Sequence, residues 1–388
     1  MISFIYKYGA LLFILNTIFM SAYIFSAFAK FYFPLLMGLY LILIILKPQT
    51  YINLTLQKTF YIFLVVNIVN LIHLLFFDHT TESFLYFITK VTIFYIISLS
   101  IFFNHEYYRD KFFTHMVWVG LFFVLASLLY SQNFSSGYKG IIGNRNEFGI
   151  LMATIFGILY LHKAKHNFYE KLFMLVLLGL ILMCGSRNAL IGVFLALIFK
   201  SGINIKTLSF LPLLAIAYFA LDYMQIETTL NRIAEESDTF HDRRMEFYYA
   251  WKTFLNKPWI GYGLEHYAYI DQSLVPRYLL LKYKMVMSHN SYLAGLVMYG
   301  LPFFIIIFLA IFSITIPAYI KYFTSKDFRE SQGANIWFFI LSYTFVSSIV
   351  ESHMFGINAF HGFMFWFSLG MVSWIYFEYK KNRGKIDA

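Results

Sequence analysis

Residues 291–320 read SYLAGLVMYGLPFFIIIFLAIFSITIPAYI, a run of thirty residues without a charged side chain. The hydrocarbon core of a bilayer is about 30 Å thick and takes roughly 20 apolar residues per helix. Similar apolar runs, separated by short charged segments, recur from one end of the sequence to the other. The stretch therefore predicts a membrane-spanning helix, and its repetition predicts a polytopic, all-α integral membrane protein.

The overall composition supports the same class. Of the 388 residues, 60% are hydrophobic and 13% are charged, whereas soluble domains carry about 25% charged residues and roughly half apolar ones. No soluble domain, repeat array or low-complexity tract is visible, so residues 1–388 are predicted to form a single membrane domain. The single cysteine, Cys184, cannot form an intramolecular disulfide.

About twelve membrane spans account for the apolar runs. They lie at approximately 9–29, 31–46, 59–77, 85–103, 112–130, 146–161, 168–183, 189–199, 207–221, 290–320, 333–350 and 359–378. The seventh and eighth spans are kept apart because a merged helix would place Arg187 in the middle of the bilayer, at a cost of about 3 kcal/mol. Residues 185–188 are then predicted to form a tight outer turn between two helices.

The distribution of charge predicts the orientation. With the N-terminus inside, the predicted cytoplasmic segments contain 17 Lys and Arg and seven Asp and Glu, which accounts for the whole formal charge of +10. Lys and Arg concentrate in the cytoplasmic loops of membrane proteins. Both termini are therefore predicted to be cytoplasmic, and the positive charge does not indicate nucleic-acid binding. The first apolar run resembles a secretory signal, but a second run follows directly, which favours an uncleaved span.

Residues 222–288 form one long segment on the outer face, between the ninth and tenth predicted spans. Segments longer than about 15 residues are usually functional or disordered, and this one is too aromatic for disorder. A helix with one apolar stripe is predicted from Met245 to Leu255, and Pro258 ends it. The stripe either lies on the bilayer surface or packs over the helix bundle, and the sequence leaves both open.

Four polar motifs lie on the predicted outer face. They are GNRNEFG at 143–149, GSRN at 185–188, the segment from Arg243-Arg244 to PWIGYG at 258–263, and His289-Asn290 followed by Gly300. Each motif alone has an ordinary structural explanation. Asn146 is a good helix N-cap, an arginine at a helix end can reach lipid headgroups, and a histidine at a helix start is more often a polar cap than a catalyst.

Taken together and in this order, the motifs resemble the bacterial O-antigen ligase/polymerase family over roughly residues 140–305. In that family a Gly-x-x-Asn helix entry precedes a Ser-Arg turn, an Arg…Pro-x-x-Gly-x-Gly segment and a His-Asn pair with a glycine some ten residues on. The ligase pattern is often described as ending on Gly, Thr or Tyr three residues after that glycine. Here Phe303 occupies this last position.

The resemblance implies a glycosyltransferase of the bacterial inner membrane with its active site facing the periplasm. Its donor would be a polysaccharide on undecaprenyl diphosphate, its acceptor a sugar hydroxyl of lipid A–core or another glycan, and membrane lipids would surround it. Arginine side chains would neutralise the leaving diphosphate. The predicted substrate-binding residues are Arg187 and Arg244 first, then Arg145, Arg243, Asn146 and Asn290.

His289 is the predicted catalytic base, because an imidazole of near-neutral pKa suits the removal of a proton from the acceptor hydroxyl. Asn290 is its expected orienting partner. Glu351 and His353, in the last outer loop, are reserve candidates with polar capping as their ordinary explanation. The outer loops contain no Asp-x-Asp motif to hold a divalent metal on the diphosphate. A mechanism without metal or cofactor is therefore predicted.

Three functions remain open. A ligase joins O-antigen to lipid A–core, and one dominant outer loop favours it. A polymerase joins lipid-linked repeats to one another, and the departure at Phe303 keeps this alternative open. A transporter is less favoured, because carriers tend to show repeat symmetry and interrupted helices at the midplane. In this sequence the unusual polar residues collect at one membrane face instead.

Overall fold

The computed structural model describes residues 2–131, 137–202, 237–283, 285–331 and 333–384. Within these ranges the fold is all-α, as predicted, and the only extended pairing is an isolated bridge between Ala22 and Ile142. The α-helices are α1 (Ile2–Ser21), α2 (Ser26–Leu46), α3 (Pro48–Thr55), α4 (Tyr61–Phe76), α5 (Thr81–Arg109), α6 (Lys111–Tyr130), α7 (Arg145–His162), α8 (Phe168–Met183), α9 (Arg187–Ser201), α10 (Ser237–Asn256), α11 (Arg277–Tyr283), α12 (Ser291–Thr324), α13 (Lys326–Arg329), α14 (Ala334–Ser347) and α15 (Phe360–Gly384).

Six of the described helices are long and apolar enough to cross a bilayer, namely α1, α2, α5, α6, α12 and α15. Helices α4 and α14 are apolar but shorter. The predicted ninth span, 207–221, and the first part of the predicted outer segment, 222–236, lie outside the described residues. The total of twelve spans therefore stays a prediction.

The centre of the helix bundle is aromatic. Helix α15 is buried along most of its length, whereas 28% of α2 is buried. Trp337 of α14 and Trp366 of α15 are among the largest fully buried side chains. Apolar residues such as Leu129 remain exposed at the periphery, as expected where lipid tails rather than water surround the helices. Helices α14 and α15 thus form the middle of the bundle.

The boundary between the first two spans differs from the prediction. The break near residue 30 is wrong, because α1 ends at Ser21 and α2 begins at Ser26. The backbone N–H of Tyr23 donates to the carbonyl of Ile141 at 2.8 Å. The turn is therefore fixed by pairing with a distant segment that enters α7, and an apolar pattern does not record such pairing.

The separation of α8 from α9 is confirmed, and it places two helix starts side by side. Gly185 turns the chain at φ +70°, and α9 begins at Arg187. A Cβ added to Gly149 of α7 would lie 2.8 Å from the Cβ of Ser186. Small residues allow such close approach between membrane helices. The start of α7 therefore lies against the turn before α9.

Residues 257–264 are bonded through their backbone to an interruption in α12. Gly300, at φ +70°, breaks α12 into two parts. The N–H of Leu301 donates to the carbonyl of Pro258 at 2.7 Å, and the N–H of Tyr262 donates to the carbonyl of Val297 at 2.8 Å. This arrangement of residues 257–264 with residues 297–301 is called the glycine joint below.

Glycine is required on both sides of the joint. A Cβ on Gly300 would lie 2.6 Å from the carbonyl oxygen of Trp259, and a Cβ on Gly261 would lie 2.5 Å from the carbonyl oxygen of Met298. Both glycines also have positive φ, which other residues rarely adopt. Two motifs of the sequence, PWIGYG and the glycine after His-Asn, thus serve to join the outer segment to the bundle.

The predicted aromatic helix is confirmed as α10, which ends two residues before Pro258. Its stripe is divided between two environments. Tyr249 is buried in a small apolar cluster formed with residues 270–286, whereas Tyr248 and Trp251 are about half exposed. The helix therefore packs on the rest of the outer segment, and it leaves part of its aromatic surface uncovered.

Candidate functional site

Three of the predicted arginines line one cavity of about 430 Å³. The cavity lies where the starts of α7 and α9 meet α10 and the segment after α14. We call it the arginine cavity. Its polar and charged lining consists of Asn146, Ser186, Arg187, Asn188, Arg243, Arg244 and Glu351.

The start of α7 contributes Asn146, but not as the predicted cap. Asn144 has the extended backbone of an N-cap residue, and its side chain accepts a hydrogen bond from the N–H of Asn146 at 2.8 Å. Asn146 already lies inside the helix, and its side-chain Nδ2 donates to Glu351 Oε1 at 3.0 Å. The amide of Asn146 thus belongs to the cavity instead of the helix end.

The start of α9 contributes polar groups that suit an anion. The first N–H groups of a helix lack partners within it and favour negative charge. Ser186 and Asn188 flank Arg187 here, and both are buried. Among the described residues the Ser186 hydroxyl and both polar atoms of the Asn188 amide have no hydrogen-bond partner. Buried polar groups are normally bonded, so these atoms point to a ligand.

Helix α10 supplies the other two arginines of the cavity. Arg243 is partly buried and donates from Nη1 to Glu246 Oε2 at 3.0 Å, and Arg244 is exposed. Arg145 is placed differently. It does not line the cavity, and its guanidinium lies against Gly137, where an added Cβ would be 3.0 Å from Nη1. The predicted substrate-binding role of Arg145 therefore finds no support in this geometry.

His289 lies between two carboxylates at the edge of the cavity. Its Nε2 is 3.9 Å from Glu246 Oε1, its Nδ1 is 4.0 Å from Glu351 Oε2, and 41% of its side chain is exposed. Burial lowers its pKa to about 4, with smaller effects from the nearby charges of Arg243 and His353. The ring is therefore neutral at pH 7 and can accept a proton. Both carboxylates would then face the resulting imidazolium.

Glu351 has a larger part in the site than the sequence indicated. It is 7% exposed, and its pKa is raised to about 7, mainly by burial; Arg243 and the bond from Asn146 oppose this rise, whereas neighbouring glutamates add to it. A group with a pKa near the working pH is suited to acid–base chemistry. His353 Nε2 lies 3.6 Å from Oε2 of Glu351, the same oxygen that His289 approaches. Of the two reserve candidates, Glu351 thus lies beside His289, and His353 lies beside Glu351.

Asn290 caps a helix instead of orienting His289. Its Oδ1 accepts hydrogen bonds from the N–H groups of Tyr292 and Leu293, both at 2.9 Å, and its Nδ2 donates to the carbonyl of Ile349 at 2.8 Å. All of these partners are backbone atoms, so the side chain fixes the start of α12 against the end of α14. The predicted substrate contact of Asn290 stays a prediction, and the structural role that these bonds show is to fix the residue next to His289.

The loop that carries Glu351 accepts hydrogen bonds from side chains of α5 and α15. The carbonyls of residues 354–356 accept hydrogen bonds in turn from Trp366 Nε1 at 2.7 Å, Tyr86 Oη at 2.8 Å and Lys90 Nζ at 3.0 Å. The sequence carried a signal for this, since an ionisable residue inside an apolar span such as Lys90 is rare and usually functional. These three donors position the loop.

The predicted absence of a metal stays a prediction. Within the described ranges no three His, Cys, Asp or Glu side chains are grouped so that they could hold a metal ion. The arginine cavity offers a different means of binding negative charge, because a guanidinium binds phosphate oxygens through two parallel hydrogen bonds. Whether a cation also takes part is a question for a chelator experiment.

Residues 172–308 match the family model described as O-antigen ligase. This part of the chain is similar to the O-antigen ligase family. The match confirms the resemblance given by the motifs, and it spans about a third of the sequence. No curated protein matches the chain.

Members of the O-antigen ligase family are glycosyltransferase-like enzymes, ligases and polymerases, that act on lipid-linked glycans. With its apolar helices, the chain is accordingly an integral membrane protein. The three cavity arginines and His289 lie inside the matched range 172–308, whereas Asn146 and Glu351 lie outside it. The fold therefore brings residues from both flanks of the matched range to the candidate site.

Proposed function

We propose that the protein is an O-antigen ligase-like glycosyltransferase that moves polysaccharide from undecaprenyl diphosphate to a sugar hydroxyl of lipid A–core at the periplasmic face, without a metal ion. One observation carries the proposal. Three arginines and the start of α9 line a cavity that adjoins a neutral histidine placed between two carboxylates. A diphosphate leaving group and a hydroxyl nucleophile need these two kinds of group side by side.

The arginine cavity would hold the donor diphosphate. Arg187 stands at the first turn of α9, where the helix dipole also favours negative charge. Arg243 and Arg244 approach from α10, on the other side of the cavity. Fixed donors aimed at the charge that develops on a leaving group lower the barrier, typically by about 3 kcal/mol for each donor. The unpartnered amide of Asn188 adds a neutral donor to this wall.

His289 would act on the acceptor. Its neutral ring takes the proton of the acceptor hydroxyl while that oxygen attacks the anomeric carbon of the donor sugar. The new glycosidic C–O bond forms as the C–O bond to the diphosphate breaks, and the bonding electrons leave with undecaprenyl diphosphate. The proton on His289 then faces Glu246 and Glu351, 3.9 and 4.0 Å away. Undecaprenyl diphosphate leaves with the negative charge, and bulk water then removes the proton from His289.

The same groups would serve a polymerase, in which a second lipid-linked repeat replaces lipid A–core as acceptor. Phe303, the departure from the ligase pattern, packs its ring 4.7 Å from that of His73 and away from the cavity residues. A deletion strain separates the alternatives by the gel pattern of its lipopolysaccharide. We expect core without repeats. Core plus a single repeat would indicate a polymerase, and an unchanged ladder would exclude both and leave transport.

The proposed orientation has its own test. Lys257 lies in the glycine joint beside the site, and Lys326 lies in α13 after the long helix; both are exposed. The native Cys184 is fully buried and adds little background. In intact spheroplasts an impermeant thiol reagent should label Lys257→Cys and spare Lys326→Cys until the membrane is opened. The reverse labelling would place the site in the cytoplasm.

A further inference from the structure

A second cavity of about 650 Å³ is lined in part by residues 285–287, in the segment that leads to His289. It is bounded by the start of α5, by residues 264–272 and by residues 285–287. Its volume is within the range of small-molecule sites, about 300–1,000 Å³. We call it the acidic cleft.

The charge of the cleft is opposite to that of the arginine cavity. Glu82 and Glu265 line it, both exposed, and none of its described lining residues is a lysine or arginine. Like charges brought together across an interface cost several kcal/mol. A diphosphate would therefore be disfavoured here, whereas a ligand that donates hydrogen bonds would be favoured, because a carboxylate is only an acceptor.

Aromatic rings accompany the carboxylates. Tyr267, Tyr269 and His266 line the cleft, and the His266 ring stands edge-on to Tyr269 with centroids 4.7 Å apart. Tyrosine presents an apolar face together with a polar end. A sugar ring has the same two-sided character, with C–H groups on its faces and hydroxyls at its edge. The pairing of aromatic faces with carboxylates therefore suits an uncharged sugar.

The inner end of the cleft reaches the reacting groups. The N–H of Ser288 donates to the carbonyl of Ala268 at 2.9 Å, and the next residue along the chain is His289. On the other side, the Tyr267 hydroxyl lies 3.1 Å from the position of a Cβ at Gly356, in the loop that carries Glu351. A ligand in the cleft would thus have one end close to both groups.

We propose that the acidic cleft binds the acceptor glycan, that it accepts sugar residues without phosphate, and that it presents one of their hydroxyls to His289. This proposal rests on the proposed transferase function and adds the place and chemical class of the second substrate. Leu85 and Met285, each 57% exposed, form an apolar mouth beside the start of the membrane helix α5. An acceptor anchored in the bilayer could enter there.

The test uses the full-length protein in liposomes, with an undecaprenyl-diphosphate-linked repeat as donor and lipid A–core as acceptor. The variants are Glu265→Gln, which keeps the shape of the side chain, and Tyr269→Ala. The matched controls are Glu330→Gln and Tyr278→Ala, which alter exposed residues outside the cleft. Each cleft variant should raise the KM for acceptor about tenfold. The KM for donor and the kcat should stay within about twofold of wild type.

The outcomes separate the two proposals. An unchanged KM for acceptor in Glu265→Gln, or an equal rise in the KM for donor, would overturn the assignment of the cleft. Tyr269→Phe, which keeps the ring but loses the hydroxyl, should raise the KM for acceptor by less than the alanine variant does; a rise as large as that of the alanine variant would also count against the assignment. If the wild-type protein transfers nothing to any glycan acceptor, the transferase function itself is wrong.

Discussion

The arginine cavity and the acidic cleft are neighbours of similar size and opposite chemistry. The first, of about 430 Å³, holds three arginines and one glutamate, and the second, of about 650 Å³, holds two glutamates and no described arginine or lysine. His289 lies 4.0 Å from Glu351 of the arginine cavity, and the preceding residue, Ser288, donates its N–H to Ala268 of the cleft. Under the proposed function, this difference in charge would keep the two substrates in separate cavities, and a diphosphate and a sugar hydroxyl would meet at His289.

The largest effect is expected at the group that serves both cavities. His289→Ala should lower turnover by about 10²–10⁴-fold, which is the usual contribution of general-base catalysis, while the KM values for donor and acceptor change little. Steady-state transfer by purified protein measures this. His115→Ala, an exposed histidine far along the chain from the site, is the control. Turnover near wild type in His289→Ala would move the role to His353 or to water.

A change confined to the arginine cavity should be next in size. Arg187→Lys keeps the charge but loses the bidentate hydrogen bonding of a guanidinium to phosphate oxygens. We expect turnover to fall by about 10²-fold, in the range found when one transition-state donor is removed, with the KM for acceptor unchanged. Arg329→Lys, an exposed arginine in α13, is the matched control. Full activity of Arg187→Lys would show that Arg187 only reaches towards lipid headgroups.

The pH profile probes the carboxylate of Glu351. The pKa of Glu351 is raised to about 7, so the carboxyl is mostly protonated below pH 7 and ionised above it. The ionised form supports a proton on His289, so turnover should rise with pH through about 7. Glu351→Gln should not show this rise of turnover with pH, and at pH 8 its turnover should be roughly tenfold slower than that of wild type. A wild-type profile that is flat from pH 6 to 8 would contradict this role.

Stability should show the opposite trend for the same group. The folded protein binds the Glu351 proton more tightly than the unfolded chain, whose carboxyl has a pKa near 4.5. The stability contributed by this group is therefore present below about pH 4.5 and declines as pH rises towards 7. The difference in Tm between Glu351→Gln and wild type should grow in favour of the variant over that interval. A constant difference would argue against the raised pKa.

The smallest effect is expected from removal of divalent metal ions. If the arginine cavity alone neutralises the leaving diphosphate, EDTA should change the transfer rate of the purified protein by less than about twofold, since no metal-dependent stabilisation of charge would be lost. The rate is measured before and after chelation. Abolition by EDTA and recovery with Mg²⁺ would show that arginines are insufficient, even though the family assignment would stand.

The sequence predicts the helices better than it predicts the turns between them. Apolar length and the cost of a buried arginine separate α8 from α9, and Pro258 marks the end of α10 correctly. The turn at residues 22–25 is missed because backbone pairing with Ile141 fixes it. Helix propensity describes neighbours along the chain, whereas this turn depends on a partner more than a hundred residues away.

The site shows the same limit. The motifs predict Arg187, Arg243, Arg244 and His289 in one place, and the structure brings them together. Asn146 is predicted too, but its helix-capping role belongs to Asn144. The place of Glu351 in the candidate site follows from burial and from its distance to His289, and one carboxylate in a short loop gives no indication of either. The acidic cleft arises from three separate segments without any local motif.

The glycine joint has a consequence for genetics. A side chain at Gly261 or Gly300 would push residues 257–264 away from α12, yet it would leave the apolar length of the membrane helices intact, and that length governs insertion into the bilayer. An allele altered at either codon should therefore yield a full-length protein that is inserted at ordinary abundance and makes no product. Such alleles would be invisible to any screen that scores expression alone.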